Sequence, residues 1–249
     1  MFVAQVLVLA QAMILSAGVL AQTCTEPPFP PTPARPVARL YEPQFIENVR
    51  RALASNSYPA IAFGDSIMVG WQREQLDEAM GRPTLNVGFA GDTTESILWR
   101  LQMLDWHNQT PDYVLLLVGK NDVDHAEYSD CDIFWGMVAV VKKVRETFPS
   151  TCVIVTSVLP HGSNLRAADS KTRSVNNFIR EGTDSGTYAF LDVHDAFLCN
   201  HRTPCPLYQS DNLHLTRSGY LVLSQLLKKR LAELHPIRAA RCRFPSTPS

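Results

Sequence analysis

Apolar, strand-like runs alternate with helical patterns along this chain. That alternation predicts an α/β protein of three layers, a five-stranded parallel sheet with helices on both faces. Two further observations agree. The body left after the N-terminal segment, about 228 residues, suits one α/β domain, and hydrophobic content of 45% is ample for its core. No internal repeat or second domain is visible.

Taken in order, Phe45, Ile46, Val49 and Leu53 fall on one helical face, so residues 42–54 form a helix against the sheet. Strands are expected near 59–63, 83–87, 113–118, 152–158 and 187–192. The first, Pro59-Ala60-Ile61-Ala62-Phe63, and the third, Tyr113-Val114-Leu115-Leu116-Leu117-Val118, are continuous apolar runs of the kind found in sheets covered on both sides. Helices are expected near 71–80, 94–103, 132–148, 170–181 and 216–234. The arrangement is a flavodoxin-like sandwich, in which ligands bind outside the carboxyl ends of the strands.

Charged residues make up only 19% of the chain, net charge is −1, and no basic run is present, which disfavours a nucleic-acid partner. Residues Phe2 to Ala21 are almost wholly apolar and end in Val19-Leu20-Ala21, which fits a cleaved signal peptide over 1–21. The segment has no Lys or Arg, and an uncleaved membrane anchor is the alternative. Either way the body is expected outside the cytosol, secreted or tethered. Pro-rich residues 22–40 read as an extended linker, 41–238 as the domain and 239–249 as a tail.

Six cysteines in an exported chain suggest disulfides. Cys199 and Cys205 bracket a five-residue loop and are the best candidate pair. Cys131 and Cys152 are expected at opposite sheet edges, roughly 17–20 Å apart, so they are not expected to pair.

Three fragments carry the chemistry: Gly64-Asp65-Ser66 and Gly119-Lys120-Asn121-Asp122, each after a strand, and Asp211-Asn212-Leu213-His214 before the last helix. A serine at a strand end can serve as a nucleophile if a base removes its proton, so Ser66 needs a partner such as His214. Asp211, three residues before His214, can orient that ring if the two share a helical turn. His194-Asp195 also ends a strand and is the rival base. The amide of Asn121 can donate to an oxyanion. Asp65 reads as a capping residue, Asp92 with Thr93 and Thr94 as a helix start, and Arg100 as half of an internal ion pair. Asp122, Asp124 and His125 match no metal-site spacing, and no metal or cofactor is expected.

These fragments, with Asn86-Val87-Gly88-Phe89-Ala90-Gly91-Asp92-Thr93-Thr94 between the first two, resemble the GDSL, or SGNH, family of serine hydrolases from about residue 58 to 222. Gly91 to Leu101 and Asp211 to Thr216 are most similar to the branch holding the catalytic subunits of intracellular platelet-activating-factor acetylhydrolase and bacterial sugar acetyl esterases. Ile67 stands where the family name has leucine, and the export leader and cysteines depart from the intracellular subunits. The resemblance implies the SGNH hydrolase fold and a Ser66-His214-Asp211 triad. It also implies an oxyanion hole from the Ser66 N–H, the Gly88 N–H and Asn121.

The implied activity is hydrolysis of acetyl or other short acyl esters of a carbohydrate or lipid through an acyl-enzyme. An O-acyltransferase would use the same triad with a sugar hydroxyl in place of water. A non-catalytic binding module is the alternative of another class, against which every catalytic position stands filled.

Overall fold

The computed structural model describes residues 24–25, 42–183, 186–201 and 203–234. The expected leader, nearly all of the linker and the tail lie outside the described residues. Among the described residues, no helix is long and apolar enough to cross a membrane.

In chain order the elements are α1 (Glu42–Ser55), β1 (Ala60–Gly64), α2 (Ser66–Val69), α3 (Arg73–Met80), β2 (Thr84–Gly88), α4 (Thr94–Met103) and β3 (Tyr113–Leu117). There follow α5 (Lys120–Asp124), α6 (Asp130–Thr147), β4 (Cys152–Thr156), α7 (Asp169–Gly182), β5 (Ala189–Leu191) and α8 (Arg217–Leu234). The five strands form one sheet in the order β2-β1-β3-β4-β5. Every pairing is parallel. This is the predicted three-layer α/β fold.

Strand side chains alternate between faces, and the core divides accordingly. Ile61, Phe63, Val114, Leu116, Val153 and Val155 face one way, against α1, α4, α6 and α7. Ala60, Ala62, Tyr113, Leu115 and Ile154 face the other, against α3 and α8. Both faces are dry, which explains why β1 and β3 read as unbroken apolar runs rather than as alternating ones.

The differences from expectation have local causes. The fourth strand stops at Thr156: the Ser157 N–H still reaches Leu191 O at 3.0 Å, but Val158 bonds to a side chain instead of the ladder. Asn176 takes both the N–H and the C=O of Val158, at 2.7 and 3.0 Å. Ser157 Oγ accepts from the N–H groups of Val193 and His194, each at 2.9 Å. The helix expected from residue 71 starts at Arg73, since Trp71 is buried in the core. The helix expected from 132 starts at Asp130, after a reciprocal cap between Ser129 and Asp132. The short helices α2 and α5 were not expected, and both carry site residues.

Cys199 and Cys205 are bonded, with Cα atoms 6.0 Å apart. Cys131 pairs with Cys24 rather than with Cys152, and Cys152 is itself disulfide-bonded.

One glycine fixes how closely the first turn of α2 meets the sheet. Gly64 lies opposite Gly88 on one side and Leu117 on the other. A Cβ there would collide with Leu117 O and Met68 Cβ, so no larger residue permits this approach.

Beside it lies a buried ion pair. Arg100 on α4 is fully buried and grips Asp92 with two bonds, Nε to Oδ2 at 2.9 Å and Nη2 to Oδ1 at 3.0 Å. Glu42 adds a second carboxylate 3.7 Å away. Removing one partner leaves a buried charge uncompensated, so Arg100→Ala is expected to lower unfolding stability by ~3–5 kcal/mol. Urea denaturation monitored by tryptophan fluorescence measures this, and a loss below ~1 kcal/mol would contradict it.

Candidate active site

Ser66 is the first residue of α2, directly after β1. Asp65 caps that helix, its Oδ1 accepting from the Ile67 N–H at 2.9 Å. The capping role expected for Asp65 is therefore what the structure shows. From the other side Tyr220 on α8 donates its hydroxyl to Ile67 O at 2.7 Å. The turn that carries Ser66 is thus held through both backbone groups of Ile67.

Ser66 Oγ lies 3.0 Å from His214 Nε2, and His214 Nδ1 lies 2.7 Å from Asp211 Oδ2. One unbroken hydrogen-bond chain joins serine, imidazole and carboxylate. The other oxygen of Asp211 accepts from the backbone N–H groups of Leu213 and His214, each at 3.0 Å. The hydrogen bond from His214 holds the Asp211 carboxyl below the usual carboxylate range, with the two backbone donors adding to it.

The spacing of three residues works differently from expectation. Asp211 and His214 do not share a helical turn. They sit in a tight loop closed by a bridge between Tyr208 and Leu215 and by the Gln209 N–H donating to His214 O at 2.8 Å. Asp211 makes this turn itself, through the same oxygen that binds the two N–H groups. Thr216 serves the start of α8, its hydroxyl accepting from Gly219 N at 3.3 Å.

On the opposite side are the expected anion-binding groups. Asn121 on α5 donates to Asp92 O at 2.8 Å. Its amide carries two hydrogens, so one remains to donate elsewhere. Asp122, the next residue, is buried and accepts from both the N–H and the hydroxyl of Thr94, at 3.0 and 2.6 Å. Burial pushes the Asp122 carboxyl up.

Gly88 departs from its expected role. Its only N–H already donates to Asn86 Oδ1 at 2.9 Å, while the Asn86 amide donates to Met68 O at 2.7 Å. Gly88 therefore braces α2 rather than presenting a donor. Gly91, three residues on, has φ of +80°, a conformation that favours glycine. Its N–H has no hydrogen-bond partner among the described residues, and neither has that of Ser66. Gly91 is the residue that reading the sequence missed. The signal lay in its position directly before Asp92, whose carbonyl receives Asn121.

A cleft of about 690 Å³ opens beside Ser66 and His214, lined by Gln72, Glu74, Gln75, Gln209, Arg217 and Leu221 among others. His194 is buried, with Nδ1 3.2 Å from Asp195. The serine's partner is His214 and not this rival. Asp124 bonds to His161 at 2.8 Å and to Lys120 at 2.6 Å.

The model of the GDSL-like lipase/acylhydrolase family matches residues 62–222. The alpha1 subunit of platelet-activating factor acetylhydrolase IB from Bos taurus is 30% identical over 180 residues, covering 71% of this chain and 76% of that protein. A GDSL-like lipase from Bacteroides thetaiotaomicron has a similar fold, with a TM-score of 0.63 at 22% identity over 76% of this chain and 97% of that one. A variant of an acetyl-xylooligosaccharide esterase from Geobacillus stearmophilus gives a TM-score of 0.54 at 18% identity over 71% and 94%.

Burial dominates the titration of Asp65 and pushes its carboxyl from 3.8 up to about 7, against the Ile67 N–H and Lys120, which pull it down. An acid whose folded pKa is raised lends stability at low pH and loses it as pH rises. The stability of wild type relative to Asp65→Asn, which keeps the oxygen but not the charge, is therefore expected to fall from pH 4 to about pH 7 and then level off. Paired thermal melts across that range test this, and a pH-independent difference would refute it.

Proposed function

This chain belongs to the GDSL-like lipase/acylhydrolase family, and we propose that it is an exported serine esterase that removes acetyl or another short acyl group from a hydroxyl-rich alcohol such as a carbohydrate. The observation that carries the reading is the hydrogen-bond chain from Ser66 through His214 to Asp211.

In this mechanism Ser66 Oγ attacks the ester carbonyl as its proton passes to His214 Nε2. Asp211 fixes the ring with Nε2 toward the serine and stabilises the imidazolium. The oxyanion receives the N–H groups of Ser66 and Gly91 and the second amide hydrogen of Asn121; losing one such donor typically costs ~2.7–4 kcal/mol of transition-state stabilisation. As the tetrahedral intermediate collapses, His214 returns the proton to the leaving alcohol. Water then attacks the acyl-enzyme with His214 again as base, releasing the acid and restoring Ser66.

The alcohol is read from the cleft. Three glutamines, two glutamates and an arginine line it around a few apolar side chains. Such a wall offers hydrogen bonds to hydroxyls and suits a lipid tail poorly. The acetyl preference follows from the platelet-activating-factor acetylhydrolase relatives. The apolar N-terminal segment and the disulfides, which persist in oxidising compartments, support the reading of export.

Ser66→Ala and His214→Ala are each expected to reduce p-nitrophenyl acetate turnover by at least ~10³-fold, while His194→Ala stays near wild type. Turnover unchanged by Ser66→Ala would end the serine-esterase reading. Acylated sugar, rather than free acid, as the main product in the presence of sugars would turn the reading to an acyltransferase.

Asp211 is held ionised to low pH by its partner, so its protonation does not limit turnover in mildly acidic solution. Asp211→Asn removes the charge that this bond favours and is expected to lower turnover by at least ~10²-fold across the neutral range. Turnover of that variant within about twofold of wild type would argue against the role given to Asp211.

A further inference from the structure

The proposed site is assembled from two halves that are distant in sequence. Asn121 comes from α5, and Asp211 and His214 come from the loop closed by Tyr208 and Leu215. Both halves meet at the segment that follows β4. Pro160 O accepts the Tyr208 hydroxyl at 2.7 Å, and the Gly162 N–H donates to Asn212 O at 2.9 Å. Residues on either side of His161 therefore hold the catalytic loop twice, once where it enters and once between Asp211 and His214.

His161 itself turns the other way. Its ring is 5% exposed, and Nε2 bonds Asp124 Oδ1 at 2.8 Å. Asp124 is the last residue of α5, one turn beyond Asn121. Its other oxygen takes Lys120 at 2.6 Å, so the carboxylate also ties the two ends of α5 together. Lys171 on α7 bonds the carbonyls of Val123 and His125 at 3.2 and 2.7 Å and fixes the end of the same helix. Burying an imidazole costs free energy, and Nδ1 of His161 finds no hydrogen-bond partner among the described residues. Apolar packing would fill the position with less loss, and the mechanism above does not use the ring.

We propose that Asp124 and His161 form a positioning pair that holds the Asn121 donor and the Asp211–His214 loop in register across the active site, an inference that rests on the serine-esterase reading. Breaking the pair frees the segment at 160–162 to shift and the catalytic loop with it. Displacements of about 0.5 Å are enough to weaken a catalytic constellation. The cleft walls on α3 stay in place, so ground-state binding is largely kept.

The test is steady-state kinetics on the full secreted chain with p-nitrophenyl acetate, each preparation titrated with a fluorophosphonate to count competent serines. Asp124→Ala and His161→Ala are each expected to lower kcat per titrated site about tenfold with KM within about twofold. The double variant should lose no more than the worse single, as two ends of one contact do. Asp124→Asn keeps an acceptor for His161 and should stay within about threefold of wild type. If Ser66→Ala is inactive but both alanine variants keep wild-type kcat, the positioning pair is wrong and the esterase reading stands. Additive losses in the double variant, or Asp124→Asn as impaired as Asp124→Ala, also overturn it. If Ser66→Ala remains active, the parent reading fails instead.

Discussion

The buried pair of Arg100 and Asp92 is the constraint from which the site is built. A guanidinium taken wholly out of water must be matched by carboxylates in good geometry. Here it is matched by the two-point grip on Asp92, with Glu42 nearby and the Phe89 ring 4.2 Å from the guanidinium carbon. Asp92 cannot move without stranding that charge. Its carbonyl, fixed in turn, receives Asn121, and two residues on Thr94 donates to Asp122. Successive residues of α5 thus grip both ends of one short stretch between β2 and α4. Stability and site geometry here draw on the same few bonds.

The serine side is held by a different device. Asp65, Asn86 and Tyr220 each spend a polar group on the backbone of the turn at Ser66–Val69. Gly64 lets that turn lie against the sheet. The loop bearing Asp211 and His214 has no helix to order it and relies on its own closing bonds and on the segment at 160–162. The site is therefore a junction of three separately braced pieces.

How legible each piece was in the sequence follows from the range of its determinants. The sheet and its covering helices were readable because period and hydrophobicity are local properties. An internal ion pair for Arg100 was readable from its place on an apolar helix, but its partner Asp92, just before the Thr93 cap, was not. Ser66, His214, Asp211 and Asn121 were readable as residue types at expected edges, and the structure bonds the first three together. Gly88 against Gly91 was not, since only three positions separate the end of β2 from Gly91 and only the hydrogen bond to Asn86 tells which N–H is occupied. The short helices α2 and α5 were missed because so few residues carry no period. His161 was passed over because its partner, Asp124, is 37 residues away.

The electrostatics of the site follow from the depth of these braces. Asp65 and Asp122 each stand beside a residue placed in the mechanism, and both are buried. A fixed negative charge at either position would oppose the negative charge that develops on an ester oxygen. Burial pushes both carboxyls upward, Asp65 to about 7. Asp211 goes the other way, since its bond from His214 favours the ionised form. Three carboxylates around one serine are thus driven apart by environment alone. The two beneath the oxyanion side are biased toward neutrality, and the one behind the imidazole keeps the charge that an imidazolium needs.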